Sequence, residues 1–340
     1  MFNNIHNFWH RAWRYLALSI AALCLCIACN SQSSTDATSE LPTLVVGNSP
    51  WPGFVAQFVA EEKGYYAEEG INIEEKFLQV ATDVNTALAG DRLDVAWTAI
   101  PDMVVMAGDD PSLRLIAVSD YSDGADGILA KEVASPADLA GKTIAWEELP
   151  LQALLLEAYL KDSGVSLSDL DLKVMPAAEA ATAFAAGQVD VAVTFEPWLT
   201  TAVKEGDGEV VFSSVGTNLI AGGLVGKAET IAERKDDLDA YFRALEKGFT
   251  FYESNTEEAI EIVANKLNLA PEELPPILDT VRLFKPSEHQ SVVFNADDSL
   301  NIMDSINFAA EVGKEMGVVD ESVDPSTLFD ASYTESIAAS

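Results

Sequence analysis

Asp94-Val95-Ala96-Trp97-Thr98-Ala99-Ile100-Pro101 decides the reading of this chain, because the stretch returns later as Asp190-Val191-Ala192-Val193-Thr194-Phe195-Glu196-Pro197. Each copy follows a segment ending in glycine, Gly90 or Gly187, with an offset of one residue between the two. The shared pattern is a helix closed by glycine, a short apolar strand, and a proline opening the next helix. Glycine tolerates the left-handed turn that ends a helix, and proline lacks an N–H that the first helical turn leaves unpaired anyway. The recurrence reads as two lobes of like topology.

Outward from these copies, short apolar runs alternate with amphipathic segments, as in a parallel sheet with crossover helices. In the first lobe, strands are expected over 44–47, 71–78, 93–98 and 113–118, and helices over 53–69, 82–90 and 101–108. The segment Ser122-Asp123-Gly124-Ala125-Asp126-Gly127 is punctuated by glycine and separates the sets. Beyond it, strands are expected over 142–146, 170–175, 189–194 and 210–213, and helices over 150–163 and 178–186. After Gly222 the pattern turns mainly helical, over 235–253, 257–267, 271–281 and 300–316. The fold class is α/β, with a helical C-terminal part.

The ends and the composition narrow the function. Arg11 and Arg14 precede an apolar run from Tyr15 to Ala28, too short to span a bilayer and suited to a signal peptide over residues 1–28. Leu25-Cys26-Ile27-Ala28-Cys29 resembles the bacterial lipobox, with Cys26 where leucine is usual, and implies a lipid anchor on Cys29. Residues 29–41 then read as the lipidated cysteine and a polar tether. The expected location is exported and membrane-anchored, on the periplasmic or cell-surface side. All three cysteines fall in this leader or at its end, so the body must hold together without disulfides. His289 alone remains of the three histidines, which leaves little for Cys nucleophiles, His-rich metal sites or Ser-His-Asp chemistry, and it reads as a surface residue. No metal or cofactor is expected. The net charge of −35 disfavours nucleic acid as a partner and says little about a small ligand. A monomer is expected.

The tryptophans mark the candidate site. Trp51, Trp97, Trp146 and Trp198 each fall just after an expected strand, and ligands of open α/β sheets bind beyond the carboxyl ends of strands. Acids stand beside them: Asp102 after Trp97, Glu147 and Glu148 after Trp146, and Glu196 before Trp198. Each of these acids also sits near a helix start, where a carboxylate gains about 0.3–1 kcal/mol from the helix dipole. Each tryptophan equally suits a core.

Val46-Gly47-Asn48-Ser49-Pro50-Trp51-Pro52-Gly53, followed by Ala60-Glu61-Glu62-Lys63-Gly64-Tyr65-Tyr66-Ala67-Glu68-Glu69-Gly70-Ile71, resembles the opening of the nitrate/taurine/sulfonate-type substrate-binding proteins of ABC transporters. Ala87-Leu88-Ala89-Gly90 with Leu93-Asp94-Val95-Ala96, Asp138-Leu139-Ala140-Gly141-Lys142-Thr143-Ile144, and Phe195-Glu196-Pro197-Trp198 resemble them in the same order. The resemblance implies a type II periplasmic-binding-protein fold, two α/β lobes with a ligand cleft between them. Residues 42–125 with 220–340 would form the first lobe and 126–219 the second, with crossovers near 123–128 and 217–223. It also implies ABC permease and ATPase subunits as partners, and capture of ligand by lobe closure.

The family's usual ligands are small anions or pyrimidine precursors. The candidate loops at 49–54, 98–102, 120–126, 146–151 and 195–199 carry no Lys or Arg, and Asp120, Asp123 and Asp126 add further acids. A carboxylate facing an anion in a closed cleft costs several kcal/mol of repulsion, whereas Trp is the best cation–π face. The expectation is therefore a binding protein for a small organic cation such as guanidinium or an amine. Ser49, Trp51, Trp97, Thr98, Asp102, Asp120, Tyr121, Trp146, Glu147, Glu148, Glu196 and Trp198 are its candidate contacts. The alternatives are a small anion (nitrate, taurine, alkanesulfonate), a thiamine pyrimidine precursor, a pyrimidine-synthesising enzyme of the same fold, or an anchored sensory or adhesion domain. The enzyme would need the reactive His or Cys that this body nearly lacks.

Overall fold

The computed structural model describes residues 41–320 and 323–334. The expected signal peptide, Cys29 and the tether up to residue 40 lie outside the described residues. Among those described, the strands in chain order are β1 (Thr43–Asn48), β2 (Asn72–Phe77), β3 (Val95–Ala99), β4 (Leu113–Ser122), β5 (Asp126–Ala130), β6 (Thr143–Trp146), β7 (Asp171–Val174), β8 (Val191–Phe195), β9 (Glu209–Ser213), β10 (Ala221–Lys227) and β11 (Val281–Leu283). They form two sheets, ordered β11-β4-β10-β3-β1-β2 and β7-β6-β8-β5-β9. In the first, β1 pairs in parallel with β2 and β3, and β10 runs antiparallel between β3 and β4. In the second, β6 pairs in parallel with β7 and β8, and β5 runs antiparallel between β8 and β9. The two sheets thus repeat one plan, with β11 added at the edge of the first.

The repeated Asp-Val-Ala has a structural cause. Asp94 Oδ2 accepts the Val45 backbone N–H of β1 at 2.7 Å, and Asp190 Oδ2 accepts the Thr143 N–H of β6 at 2.9 Å. In each lobe the aspartate stitches the approach of one strand to its parallel neighbour, satisfying a backbone donor that the ladder leaves free.

Strands β5 and β10 are absent from the sequence-based expectation. β10 carries Gly222, Gly223 and Gly226, and β5 opens on Asp126-Gly127, both of which lower strand propensity and read as loop. Tertiary packing overrides that propensity, because both strands run through the middle of a sheet. A Cβ on Gly223 would meet Leu115 Cδ1 at 2.4 Å and Ile100 Cδ1 at 2.6 Å, so the bare backbone is what admits the neighbouring side chains. The long helix expected over 53–69 is broken into a turn Pro52–Phe54, a helix Val55–Glu62 and a short helix Tyr65–Glu68. Gly64 stands at the break with φ 74°. The helix expected over 271–281 becomes a turn Pro271–Glu273 and a helix Leu274–Leu278, and β11 takes its last residue, Val281.

Helices cover both faces of both sheets. On one face of the first, Phe58, Val59, Tyr241, Leu245 and Val263 pack on Leu44 and Val46, so helices Lys235–Ser254 and Thr256–Leu267 close over Val55–Glu62. On the other, Met103 and Val104 of helix Ile100–Asp109 meet Ile306 and Ala310 of helix Ile302–Glu315. The second sheet buries Ile128, Ile144 and Val191 against Leu155, Leu156 and Leu160, and on its reverse Leu129, Ala145 and Ala192 against Phe184 and Leu199. Each large apolar side chain buried in this way contributes about 1.5–3 kcal/mol.

The chain passes between the sheets twice, after Ser122 and after Ser213. The two passages are tied together by a 2.7 Å hydrogen bond between the buried hydroxyls of Ser122 and Ser214. Ser214 Oγ also accepts the Gly124 N–H at 2.9 Å.

Candidate ligand-binding cleft

A cavity of about 60 Å³ lies where the carboxyl ends of β1, β3 and β8 approach each other, with room for several water-sized groups. Ser49, Trp51, Phe54, Trp97, Thr98 and Asp102 line it from the first lobe, and Asp126, Leu151 and Phe195 from the second. Its walls are aromatic. The Trp51 ring stands edge-on to Phe195 at 6.0 Å across the cleft, and Phe54 lies 5.5 Å from Trp97.

Local sequence places these rings. Trp51 sits between Pro50 and Pro52, and the residue before a proline is held extended, here at φ −152° and ψ 128°. Its indole N–H donates to Asp120 Oδ2 at 3.0 Å. Gly53 makes that contact possible, since a Cβ there would fall 2.1 Å from Asp120 Oδ2 and 2.4 Å from Trp51 Nε1. Trp97 is held from behind, donating to Gln57 Oε1 at 2.5 Å and to the Tyr241 hydroxyl at 2.9 Å. Both rings are therefore anchored by their polar edge and present an apolar face.

Three buried carboxylates surround the rings. Asp102 accepts from Asn85 Nδ2 at 3.1 Å and from the Leu151 backbone N–H at 2.9 Å, while Thr98 Oγ1 donates to Asn85 Oδ1 at 2.6 Å. Burial pushes Asp102 up to about 7 against those hydrogen bonds. Asp120 accepts from Trp51 and from Ser119 Oγ at 2.6 Å, yet burial still raises it to about 6. Asp126 is pushed to about 7, first by burial and then by the negative charges of Asp120, Asp102 and Glu196. Asp120 Oδ1 and Asp126 Oδ2 are buried without a hydrogen-bond partner. No Lys or Arg lines the cavity. Among the described residues, no three His, Cys, Asp or Glu side chains converge to hold a metal ion.

The structure brings Ser49, Trp51, Trp97, Thr98 and Asp102 to this cavity, with Asp120 directly behind Trp51. It takes the other candidates elsewhere. Tyr121 is a core residue rather than a hinge-loop one, 1% exposed, with its hydroxyl donating to the Leu300 carbonyl at 3.2 Å. Trp146 packs in the core of the second lobe with its indole N–H unpartnered. Trp198 packs against Phe195 at 4.9 Å. Glu148 is exposed. Glu196 turns back on its own helix, accepting from the Thr200 N–H at 3.1 Å and Thr200 Oγ1 at 2.6 Å. His289 is buried, not superficial: its Nε2 accepts the Val118 N–H at 2.8 Å.

Glu147 does something the sequence does not suggest. It is buried in the second lobe, and its carboxylate accepts the Thr82 N–H at 2.9 Å and Thr82 Oγ1 at 3.1 Å, at the start of helix Ala81–Ala89 in the first. Its other oxygen accepts the Ala177 N–H at 3.0 Å. Asp102 of the first lobe reciprocates at Leu151, the second residue of helix Pro150–Leu160 in the second. Each lobe thus offers one carboxylate to a helix N-terminus of the other, where free N–H groups and the helix dipole favour negative charge.

Phe54, Leu151, Phe195 and Asp126 are among the lining residues not in the sequence candidates. Asp126 carried a signal, an acid in the glycine-punctuated segment between the lobes; the three apolar residues fall within the candidate loops 49–54, 146–151 and 195–199, but nothing in their type marked them as contacts.

The sequence profile of the family described as NMT1/THI5 like matches residues 51–259, more than half of the chain. The chain is 24% identical over 265 residues to the formylaminopyrimidine-binding protein of Halalkalibacterium halodurans, covering 74% of this chain and 78% of that one. Among solved structures it is similar to the alkanesulfonate-binding protein of Xanthomonas axonopodis pv. citri bound to MOPS, with a TM-score of 0.69, 17% identity, and 86% of this chain and 100% of that one covered. It is also similar to the periplasmic nitrate-binding protein of Synechocystis PCC 6803, with a TM-score of 0.66, 14% identity, and coverage of 88% and 89%. These likenesses establish the periplasmic-binding-protein fold.

Proposed function

This chain belongs to the NMT1/THI5-like family, and from that premise we propose that it is an exported solute-binding lipoprotein that delivers a small organic cation to an ABC importer. Its partners are the permease and ATPase subunits, and Cys29 is its membrane anchor. The lobes are taken as residues 42–125 with 220–340, and 126–219. Guanidinium-like ligands stand first, because a planar cation can stack on an indole face and offer N–H groups to carboxylates at once.

One observation carries the ligand's charge. The cavity holds indole faces and buried carboxylates, Asp102 and Asp126 on its lining and Asp120 behind Trp51, and no basic side chain. An anion there would meet uncompensated negative charge, which a desolvated site punishes severely. A cation meets the opposite sign and offsets the cost of keeping these buried acids ionised.

A second reading is an aminopyrimidine. The similarity to the formylaminopyrimidine-binding protein of Halalkalibacterium halodurans favours it, and an amino-substituted ring also combines a stacking face with N–H donors. A thermal-shift panel separates the readings. Guanidinium or small amines at about 100 times their dissociation constant should add about 2.7 kcal/mol of stability. A response to an aminopyrimidine alone selects the second reading. Stabilisation by nitrate or taurine alone overturns both.

A further inference from the structure

The acids near the cleft divide by what their oxygens touch. Glu147, Glu196 and Asp102 have both carboxylate oxygens engaged by donors of the protein, at Thr82, Ala177, Thr200, Asn85 and Leu151. Asp126 keeps a buried oxygen, Oδ2, that nothing donates to. Among the described residues, the other buried side-chain atoms without a partner belong to Asn48, Asp120, Trp146, Gln152 and Asp239, and none of these five lines the cavity. Asp126 does line it, while only 2% exposed. An unpaired buried carboxylate oxygen costs enough that native proteins rarely keep one without use.

The backbone of Asp126 is held on both sides. Its N–H donates to Ser122 Oγ at 3.1 Å and to Ser214 Oγ at 3.4 Å, the pair that ties the two passages together. Its carbonyl accepts the Ser214 N–H at 3.0 Å. Across the sheet Asp126 pairs with Phe195, the cavity-lining ring that Trp51 meets edge-on at 6.0 Å. The cavity lining holds no Lys or Arg to neutralise the carboxylate, and the charges that act on it, Asp120, Asp102 and Glu196, are of its own sign. A donor for Oδ2 must come from outside the chain.

We propose that Asp126 is the anchor of the ligand's charged head, and that the cleft selects cations bearing at least one N–H group over quaternary ammonium ions. This rests on the cation reading above and sharpens it. Indole faces attract any cation, with or without an N–H. A carboxylate oxygen held ready for a hydrogen bond separates the two kinds, because a quaternary ammonium donates nothing and leaves that oxygen unpaired. A binding residue of this sort weakens the empty protein, whereas a packing residue strengthens it.

The test is calorimetric titration at pH 8 with guanidinium, tert-butylammonium, tetramethylammonium and taurine. The second and third have the same shape and charge and differ in that one carries N–H groups. The wild type should bind tert-butylammonium at least about tenfold more tightly than tetramethylammonium, the worth of one charge-assisted bond. D126N should weaken guanidinium and tert-butylammonium about 10- to 100-fold and narrow the gap between the two isosteres. The same variant should raise the melting temperature of the unliganded protein at pH 8 by about 2–4 °C, since it removes a buried charge that lacks a partner. E209Q, at an exposed acid on β9, removes the same charge and should bind as the wild type does. Equal affinity of the wild type for the two isosteres overturns the anchor without needing any variant to fold, and leaves the cation reading intact. Guanidinium binding unchanged in D126N, an unliganded D126N that melts below the wild type, or equal weakening in E209Q also overturns it. Binding of taurine and of no cation overturns the cation reading and the anchor together.

Discussion

The two lobes share a sheet plan and diverge at the cleft. Asp94 and Asp190 perform one task, bridging to β1 and β6. Three residues further on the copies part: Trp97 faces the cavity, and its counterpart Val193 is buried in the core of the second lobe. Trp51, after β1, lines the cleft; Trp146, at the end of the matching strand β6, packs inward. The first lobe therefore supplies both indole faces, and the second closes over them with Phe195, Leu151 and Asp126. A repeated backbone plan fixes where a cleft opens, and the residues at its rim are free to differ.

Changing pH tests this asymmetry most strongly. Asp102, Asp120 and Asp126 are raised to about 7, 6 and 7 by burial. A carboxylate whose folded value is raised binds its proton more tightly in the folded state. Its contribution to stability is full below the ordinary carboxylate value near 4 and disappears as pH rises through 6 to 7. The unliganded protein should lose several kcal/mol between pH 5 and 8, since each tenfold difference in proton affinity between the folded and unfolded chain is worth about 1.4 kcal/mol. Cation affinity should rise over the same window, because bound protons must leave first. Chemical denaturation across pH measures both, and an unliganded stability that climbs from pH 5 to 8 refutes the assignment.

Trp97 against Val193 is the next comparison. W97A should cost about 3–5 kcal/mol and abolish measurable binding, whereas V193A should cost about 1–3 kcal/mol and keep the ligand. Equal loss of binding in both variants would make Trp97 an ordinary packing residue. Glu147 against Glu196 comes third. E147Q removes a charge-assisted bridge between lobes and should weaken the closed form by about 1.5–3 kcal/mol, for a ligand of either charge. E196Q loses a contact to its own helix and should cost about 0.3–1 kcal/mol. If E147Q weakens cations while sparing anions, Glu147 touches the ligand after all. The smallest signal is optical: ligand should quench tryptophan fluorescence in W146F as in the wild type, and less in W51F, which keeps only the Trp97 face.

Much of the fold was legible because its signals are local. Glycine and proline around 90–101 and 187–197 mark the ends of helices, and apolar runs mark β1, β3, β6 and β8 within three residues. Strands β5 and β10 escaped because glycine lowers strand propensity in any single-residue reading. Leu115 and Ile100 at Gly223, and Leu199 at Gly127, crowd the space a side chain would take there, and those contacts come from residues distant in sequence. The acids show the same divide. Proximity to a helix start was visible for Glu147 and Asp102, but each also serves a helix of the opposite lobe, at Thr82 and Leu151.

The sequence by itself determined the α/β class, the two-lobe repeat, and a cleft region rich in indole and carboxylate groups and poor in basic ones. Those follow from residue type and spacing, which act over a few turns of chain. Tertiary structure alone decided which of those groups meet. It buried Trp146 and packed Trp198 half-buried behind Phe195, set Glu147 and Asp102 to bridging the lobes, and left Asp120 and Asp126 with free oxygens. The reason is geometric: a carboxylate binds whichever donor the fold carries to within about 3 Å, and here the donors at Thr82 and Leu151 lie 65 and 49 residues away in the chain.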